Sequence, residues 1–261
     1  MNRGASSMAG KIITVLNQKG GVGKSTLASL LSYGLTSLDY KILAIDLDQQ
    51  TNLTYIMNAD EPEISTYDLL AGKASLNDVL IHEEDIDILP ANRNLAGIDL
   101  EIQDIGKEYR LKRALDDVKA NYDYIVIDTP PTLNLLTVNA LTASDYVVIP
   151  TQADILSLQG LGQLSNTIDA VREYTNAGLK IAGIVLTRYN TRTILTSTIT
   201  NMLEGTAKEL DTKVFNAKIR EAVAIKEAQA QRANFFEYDK GSKVYNDITQ
   251  FINEIIETTK E

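Results

Sequence analysis

The sequence predicts a doubly wound α/β protein, a mostly parallel sheet with helices on both faces. Three observations carry this. Apolar, strand-like runs alternate with helical stretches along the chain, the pattern of parallel sheets. A glycine-rich loop separates the first apolar run from the first helical pattern. Two later runs end in aspartates, Asp46 and Asp128, at the strand ends where such sheets collect ligands.

In order, Ile12-Ile13-Thr14-Val15-Leu16 reads as a buried strand and residues 27–38 as the first helix. Residues 41–46 form the second strand, leading into Asp46-Leu47-Asp48-Gln49-Gln50-Thr51-Asn52. Residues 67–70 and 76–80 read as short helices, 86–90 as a strand, and 110–115 has helical spacing. A buried strand over 122–128 runs into Thr129-Pro130-Pro131. Strands over 146–150 and 181–186 flank an amphipathic helix over 156–174. A final amphipathic helix over 242–257 carries Val244, Tyr245, Ile248, Phe251, Ile252 and Ile255 on one side and is expected to pack on the sheet. Residues 1–10, small and polar, read as a leader or expression remnant, and 11–261 as one nucleotide-binding domain.

Composition narrows the chemistry. The 261 residues, 44% hydrophobic, suffice for a large core. With no cysteine, disulfides, thiolate metal sites and iron–sulfur clusters are excluded, and a reducing cytoplasm suits the chain. No apolar run approaches the roughly 20 residues of a membrane span. A net charge of −10 opposes nucleic-acid binding unless a local basic patch supplies it. His82, the lone histidine, reads as a surface residue.

The strand, glycine loop and helix order lets backbone N–H groups wrap a polyphosphate over Lys19-Gly20-Gly21-Val22-Gly23-Lys24-Ser25-Thr26. Lys24 would reach the β- and γ-phosphates, and the Ser25 hydroxyl would ligate Mg²⁺. Asp46 and Asp48, spaced i and i+2, can face a metal–phosphate site, or else form a solvated turn and helix cap. Asp128, ending a strand before Pro130-Pro131, is placed to hold Mg²⁺ through water. Thr151-Gln152 and Thr187-Arg188-Tyr189-Asn190 fall at strand ends where a base or ribose can sit.

The usual phosphate-loop pattern needs a glycine at Gln18; the narrower Lys-Gly-Gly-x-Gly-Lys-Ser fits completely. It resembles the deviant Walker A box of the ParA/MinD superfamily, and the chain looks like a short ParA partition ATPase without a helix-turn-helix domain. The resemblance implies that Lys19 crosses a dimer interface to the partner's nucleotide. It implies a switch I at Asp46-Leu47-Asp48-Gln49-Gln50, with Gln49 where relatives carry proline. There Asp48 would position the attacking water and Asp46 would support the Mg²⁺ shell. It makes Asp128-Thr129-Pro130-Pro131 switch II and residues 217–222 the loop after the last strand, and assigns adenine contacts to Thr187, Arg188, Arg220 and Ala222. Arg192, with Lys218, Arg220 and Lys226, would bind nonspecific DNA. ATP binding would form a homodimer, and a ParB-type centromere-binding protein would stimulate hydrolysis, in the bacterial cytoplasm on the nucleoid. The acidic tail helix speaks against membrane targeting. The alternatives are a MinD-like positioning ATPase on another surface, or a metabolic phosphoryl-transfer enzyme on the same fold.

Overall fold

The computed structural model describes residues 10–59, 62–83, 86–189 and 194–260, the side chains of 194–197 excepted. The expected Arg192 therefore lies outside the described residues. The first half of the chain runs β1 (Lys11–Val15), α1 (Lys24–Thr36), β2 (Ile42–Asp46), α2 (Asn52–Ile56), α3 (Thr66–Ala71), α4 (Leu76–Val79), β3 (Ile81–His82), β4 (Ile86–Leu89), α5 (Ile98–Glu101) and α6 (Arg110–Asp116). The second runs β5 (Tyr124–Asp128), α7 (Leu135–Ala143), β6 (Tyr146–Thr151), α8 (Ile155–Tyr174), β7 (Lys180–Tyr189), α9 (Ile194–Glu209), β8 (Val214–Arg220), α10 (Val223–Ala230), α11 (Phe235–Tyr238) and α12 (Lys243–Thr259).

The eight strands form one sheet in the order β3-β4-β2-β5-β1-β6-β7-β8. All pairings are parallel except β3 with β4. The order reverses about β1, so its C-terminal end opens into the crevice where ligands of such sheets bind. Both faces are covered, which is why the central strands read as unbroken apolar runs. Ile13 and Val15 face a core built with Leu27, Leu31 and Leu35 of α1 and Ile248, Phe251 and Ile255 of α12. Ile12 faces the opposite core with Ile45, Ile127, Leu111 and Leu136. A third cluster packs Leu161, Leu164 and Ile168 of α8 and Leu203 of α9 on Val147, Ile149 and Ile184.

The tail helix packs on the sheet as expected. One expectation fails: residues 217–220 belong to β8, and only Glu221 and Ala222 form the loop. The reason is the alternation of buried Phe215, Ala217 and Ile219 with outward Asn216 and Arg220, the period of a strand with one face in the core. Backbone N–H groups of β8 are taken by α12: Glu254 accepts from Asn216 and Ala217, and Asp247 accepts from Arg220. Beneath α12, a Cβ on Gly34 of α1 would stand 2.0 Å from Ile252 Cδ1 and 2.7 Å from Phe236, so a side chain here would force one or both to shift.

Candidate nucleotide site

The loop between β1 and α1 is held from both ends. Asn17 Oδ1 accepts from the Lys19 N–H at 2.9 Å while its Nδ2 donates to Pro150 O at 2.7 Å, tying the loop to β6. Gly21 and Gly23 lie at φ 74° and 93°, left-handed values that disfavour a side chain. Val22 between them is fully buried, and its carbonyl accepts the Thr187 hydroxyl at 2.8 Å. Gly23 caps α1, a 13-residue helix with no acid in its first turn, so its free N–H groups and dipole favour an anion. Lys24 is 7% exposed and its Nζ donates to Lys19 O at 3.4 Å. Burial pushes its pKa down, against the opposing charges of Asp128 and Asp48.

Asp46 and Asp128 are register partners on neighbouring strands, both wholly buried. Burial first, and then the charge of Asp46, push Asp128 well above the usual carboxylate range. Its Oδ1 accepts from the Thr129 N–H. The Ser25 hydroxyl is near enough to favour the carboxylate, yet Oδ2 meets no donor at hydrogen-bond geometry. A buried acceptor in this state, beside a hydroxyl at a helix N-terminus, fits a hard divalent cation with oxygen ligands. Asp46, expected in the metal shell, has both oxygens engaged: Oδ1 by the Asp48 N–H, Oδ2 by the Thr54 N–H and hydroxyl. Burial pushes its pKa up to about 6 against those donors.

Asp48 is 5% exposed and receives the Gln50 N–H at 3.0 Å. Burial raises its pKa, opposed by that N–H and by Lys24. It lines one cavity with Gly20, Gly21, Gly23, Lys24, Ser25, Thr26, Gln50, Asn52 and Pro131. In the same loop Thr51, a β-branched residue, lies at φ 56°. Such backbone strain collects at functional loops. Lys19 folds onto its own chain: Nζ is 2.6 Å from Asp154 Oδ2 and 3.4 Å from the Ser157 hydroxyl. Partial burial works to raise the Asp154 pKa, but the Lys19 ammonium and the Ser157 donors outweigh it and hold the carboxyl below its ordinary range.

A second cavity adjoins the first, walled by Val22, Leu27, Leu30, Ile219, Ala222 and Ile225. Thr187, Arg188, Arg220 and Ala222, the residues expected to contact the base, line it together. The expected basic set is largely paired. The Arg220 guanidinium is bound by both oxygens of Asp247, Lys226 by Glu221 at 2.8 Å, and Lys218 lies 4.9 Å from the Tyr189 ring centroid. His82 is on the surface, hydrogen-bonded to Asp87 at 2.7 Å. Sequence reasoning missed Asn17, Thr54, Asp154 and Gln229. Only Asp154 left a signal, an acid just ahead of a helical pattern, and that signal speaks of capping alone.

An AAA domain family model matches residues 10–181. Over 249 residues the chain is 40% identical to the sporulation initiation inhibitor protein Soj of Bacillus subtilis, covering 92% of this chain and 97% of that one. It is 37% identical over 245 residues to the chromosome partitioning protein ParA of Caulobacter vibrioides, covering 90% and 91%. A solved structure named as cobyrinic acid a,c-diamide synthase of Mycobacterium smegmatis, with bound ADP and magnesium, matches at a TM-score of 0.82 and 30% identity, covering 96% of each chain. Identity of this extent, over nine-tenths of the chain, means that the chain belongs to the ParA/Soj family of partition ATPases.

Proposed function

We propose that this chain is an Mg²⁺-dependent ATPase that segregates DNA: its ATP-bound dimer holds nonspecific duplex and lets go on hydrolysis stimulated by a ParB-type partner. The observation that carries the nucleotide half is Asp128, a buried carboxylate with an unpartnered oxygen beside Ser25 and the N-terminus of α1. Ser25 and Asp128 would hold the magnesium ion, which neutralises charge on the transferred phosphoryl group when bound. Lys24 and the loop N–H groups hold the phosphates. Asp48 accepts a proton from, and orients, the attacking water. Asp46 acts through the loop it shapes. Lys19 leaves Asp154 for the partner's phosphates, and a cation delivered in trans to such a site is worth about 10³–10⁵ in rate. Partition itself is supported by the similarity to Soj and ParA along nearly the whole chain.

The metabolic reading takes support from the name of the mycobacterial neighbour. Against it, glutamine-dependent amide transfer commonly relies on a thiolate nucleophile, and this chain has no cysteine. A membrane-positioning role meets an acidic α12 and, among the described residues, no helix long and apolar enough to cross a membrane. The test is retention of the protein on nonspecific duplex with ATP, with ADP and without nucleotide, at two salt concentrations. ATP-specific retention that falls steeply with salt and disappears in Lys19→Ala is expected. ATP-driven dimers that ignore DNA would overturn the partition reading and leave the other two.

A further inference from the structure

The two cavities at the sheet crevice share four residues: Gly23, Thr26, Arg188 and Gln229. On the reading that a nucleoside triphosphate puts its base in the apolar cavity and its phosphates against the loop, the sugar must cross this seam. The ribose is the covalent link between the two halves, so the groups shared by both cavities are the ones that meet it. Gly23 offers no side chain. Thr26 stands in the first turn of α1, committed to the phosphate side. Arg188 is exposed and carries a charge, suited to anions more than to a neutral diol.

Gln229 is different in kind. It sits on α10 four residues after buried Ile225, so the two share the helix face turned towards α1. The residue is half-buried, and its Nε2 donates to Thr26 Oγ1 at 2.9 Å, which fixes the carboxamide over the seam. One amide N–H and the carbonyl oxygen Oε1 remain, a neutral donor and acceptor side by side. Nearby polar groups have other commitments: Glu221 pairs with Lys226, and Arg220 with Asp247. A hydroxyl pair on a sugar matches a carboxamide, because each hydroxyl both donates and accepts.

We infer that Gln229 is the ribose-reading residue of this site, hydrogen-bonding a sugar hydroxyl and so favouring ribonucleotides over deoxyribonucleotides. The inference rests on the proposed ATP site. A single neutral hydrogen bond at a half-open position discriminates by about five- to tenfold. The carboxamide edge can also read adenine, so the experiment must separate sugar from base.

Calorimetric titrations of the full chain with ATP, 2′-deoxy-ATP, 3′-deoxy-ATP and GTP, each with Mg²⁺, provide that separation, with Gln229→Leu beside the unaltered protein. Expected is a five- to tenfold preference for ATP over the analogue lacking the contacted hydroxyl. Gln229→Leu should bring ATP down to that analogue's affinity and leave the analogue itself unmoved. Gln229→Met, of similar length, repeats the measurement if the leucine variant fails to fold. Equal binding of ATP and both deoxy analogues by the unaltered chain refutes the inference. So does a variant that weakens all of them alike, which would confine Gln229 to supporting Thr26. A variant that shifts only the ATP-to-GTP ratio assigns Gln229 to the base and equally refutes it. If the unaltered chain binds none of the four nucleotides, the ATP site itself is wrong, and the inference falls with it.

Discussion

Lys19 and Asp154 show how much one pair can decide. The ammonium is held 2.6 Å from a carboxylate that also caps α8 through the Ser157 N–H at 3.0 Å. Any role for Lys19 in a second subunit begins by breaking this contact. Both side chains are about a third exposed, so the pair is worth roughly 0.2–1 kcal/mol. Asp154→Ser keeps a capping oxygen and removes the charge. It should raise the ATP-dependent dimer fraction and unstimulated phosphate release about two- to fivefold, read by sedimentation and a phosphate assay. No change in either would show that Asp154 is only a cap. Lys19, Lys24, Ser25 and Asp128 were legible in the sequence because a short local motif, the glycine loop or a strand-ending acid before Pro130-Pro131, marks each position. Asp154 and Gln229 were not, since their partners lie 135 and 203 positions away and nothing local marks such a contact.

The segment from β2 to α2 is a unit built around a buried carboxylate. Asp46 receives Asp48 and Thr54 through its side chain and the Thr66 hydroxyl through its carbonyl, while Thr54 also accepts the Ala91 N–H. Its pKa, about 6 when folded against an ordinary 3.8, means that the folded chain binds the proton more tightly. Stability from this group is full below about pH 4 and is lost as pH rises through about 6, by at most about 3 kcal/mol. Urea midpoints from pH 4 to 7 should therefore fall more for the unaltered chain than for Asp46→Asn; parallel curves would refute the shift. Elements of clear period were legible, α12 above all. Helix α7 gave no period because every residue in it but Val138 is buried. The last strand was mistaken for a loop because a family motif outweighed the alternation of Phe215, Ala217 and Ile219.

At the scale of the molecule, the class of sheet was readable but its order was not. Composition and alternation announce parallel strands; that β5 slips between β2 and β1 depends on pairings across 82 and 113 positions. That insertion is what sets Asp46 beside Asp128. The layers are equally interdependent, and Gly34 tests this. Alanine there would drive a Cβ into Ile252 and Phe236, so Gly34→Ala should cost about 1–3 kcal/mol in thermal or chemical unfolding. An unchanged melting temperature would mean that α12 sits more loosely on α1 than the contacts require. The carboxylates along β8 reach further than local packing. An exposed edge strand is the usual template for runaway cross-strand growth, and here Glu254 and Asp247 already hold the N–H groups of Asn216, Ala217 and Arg220. Copies crowded together thus find these three donors already taken, which works against cross-strand growth seeded there.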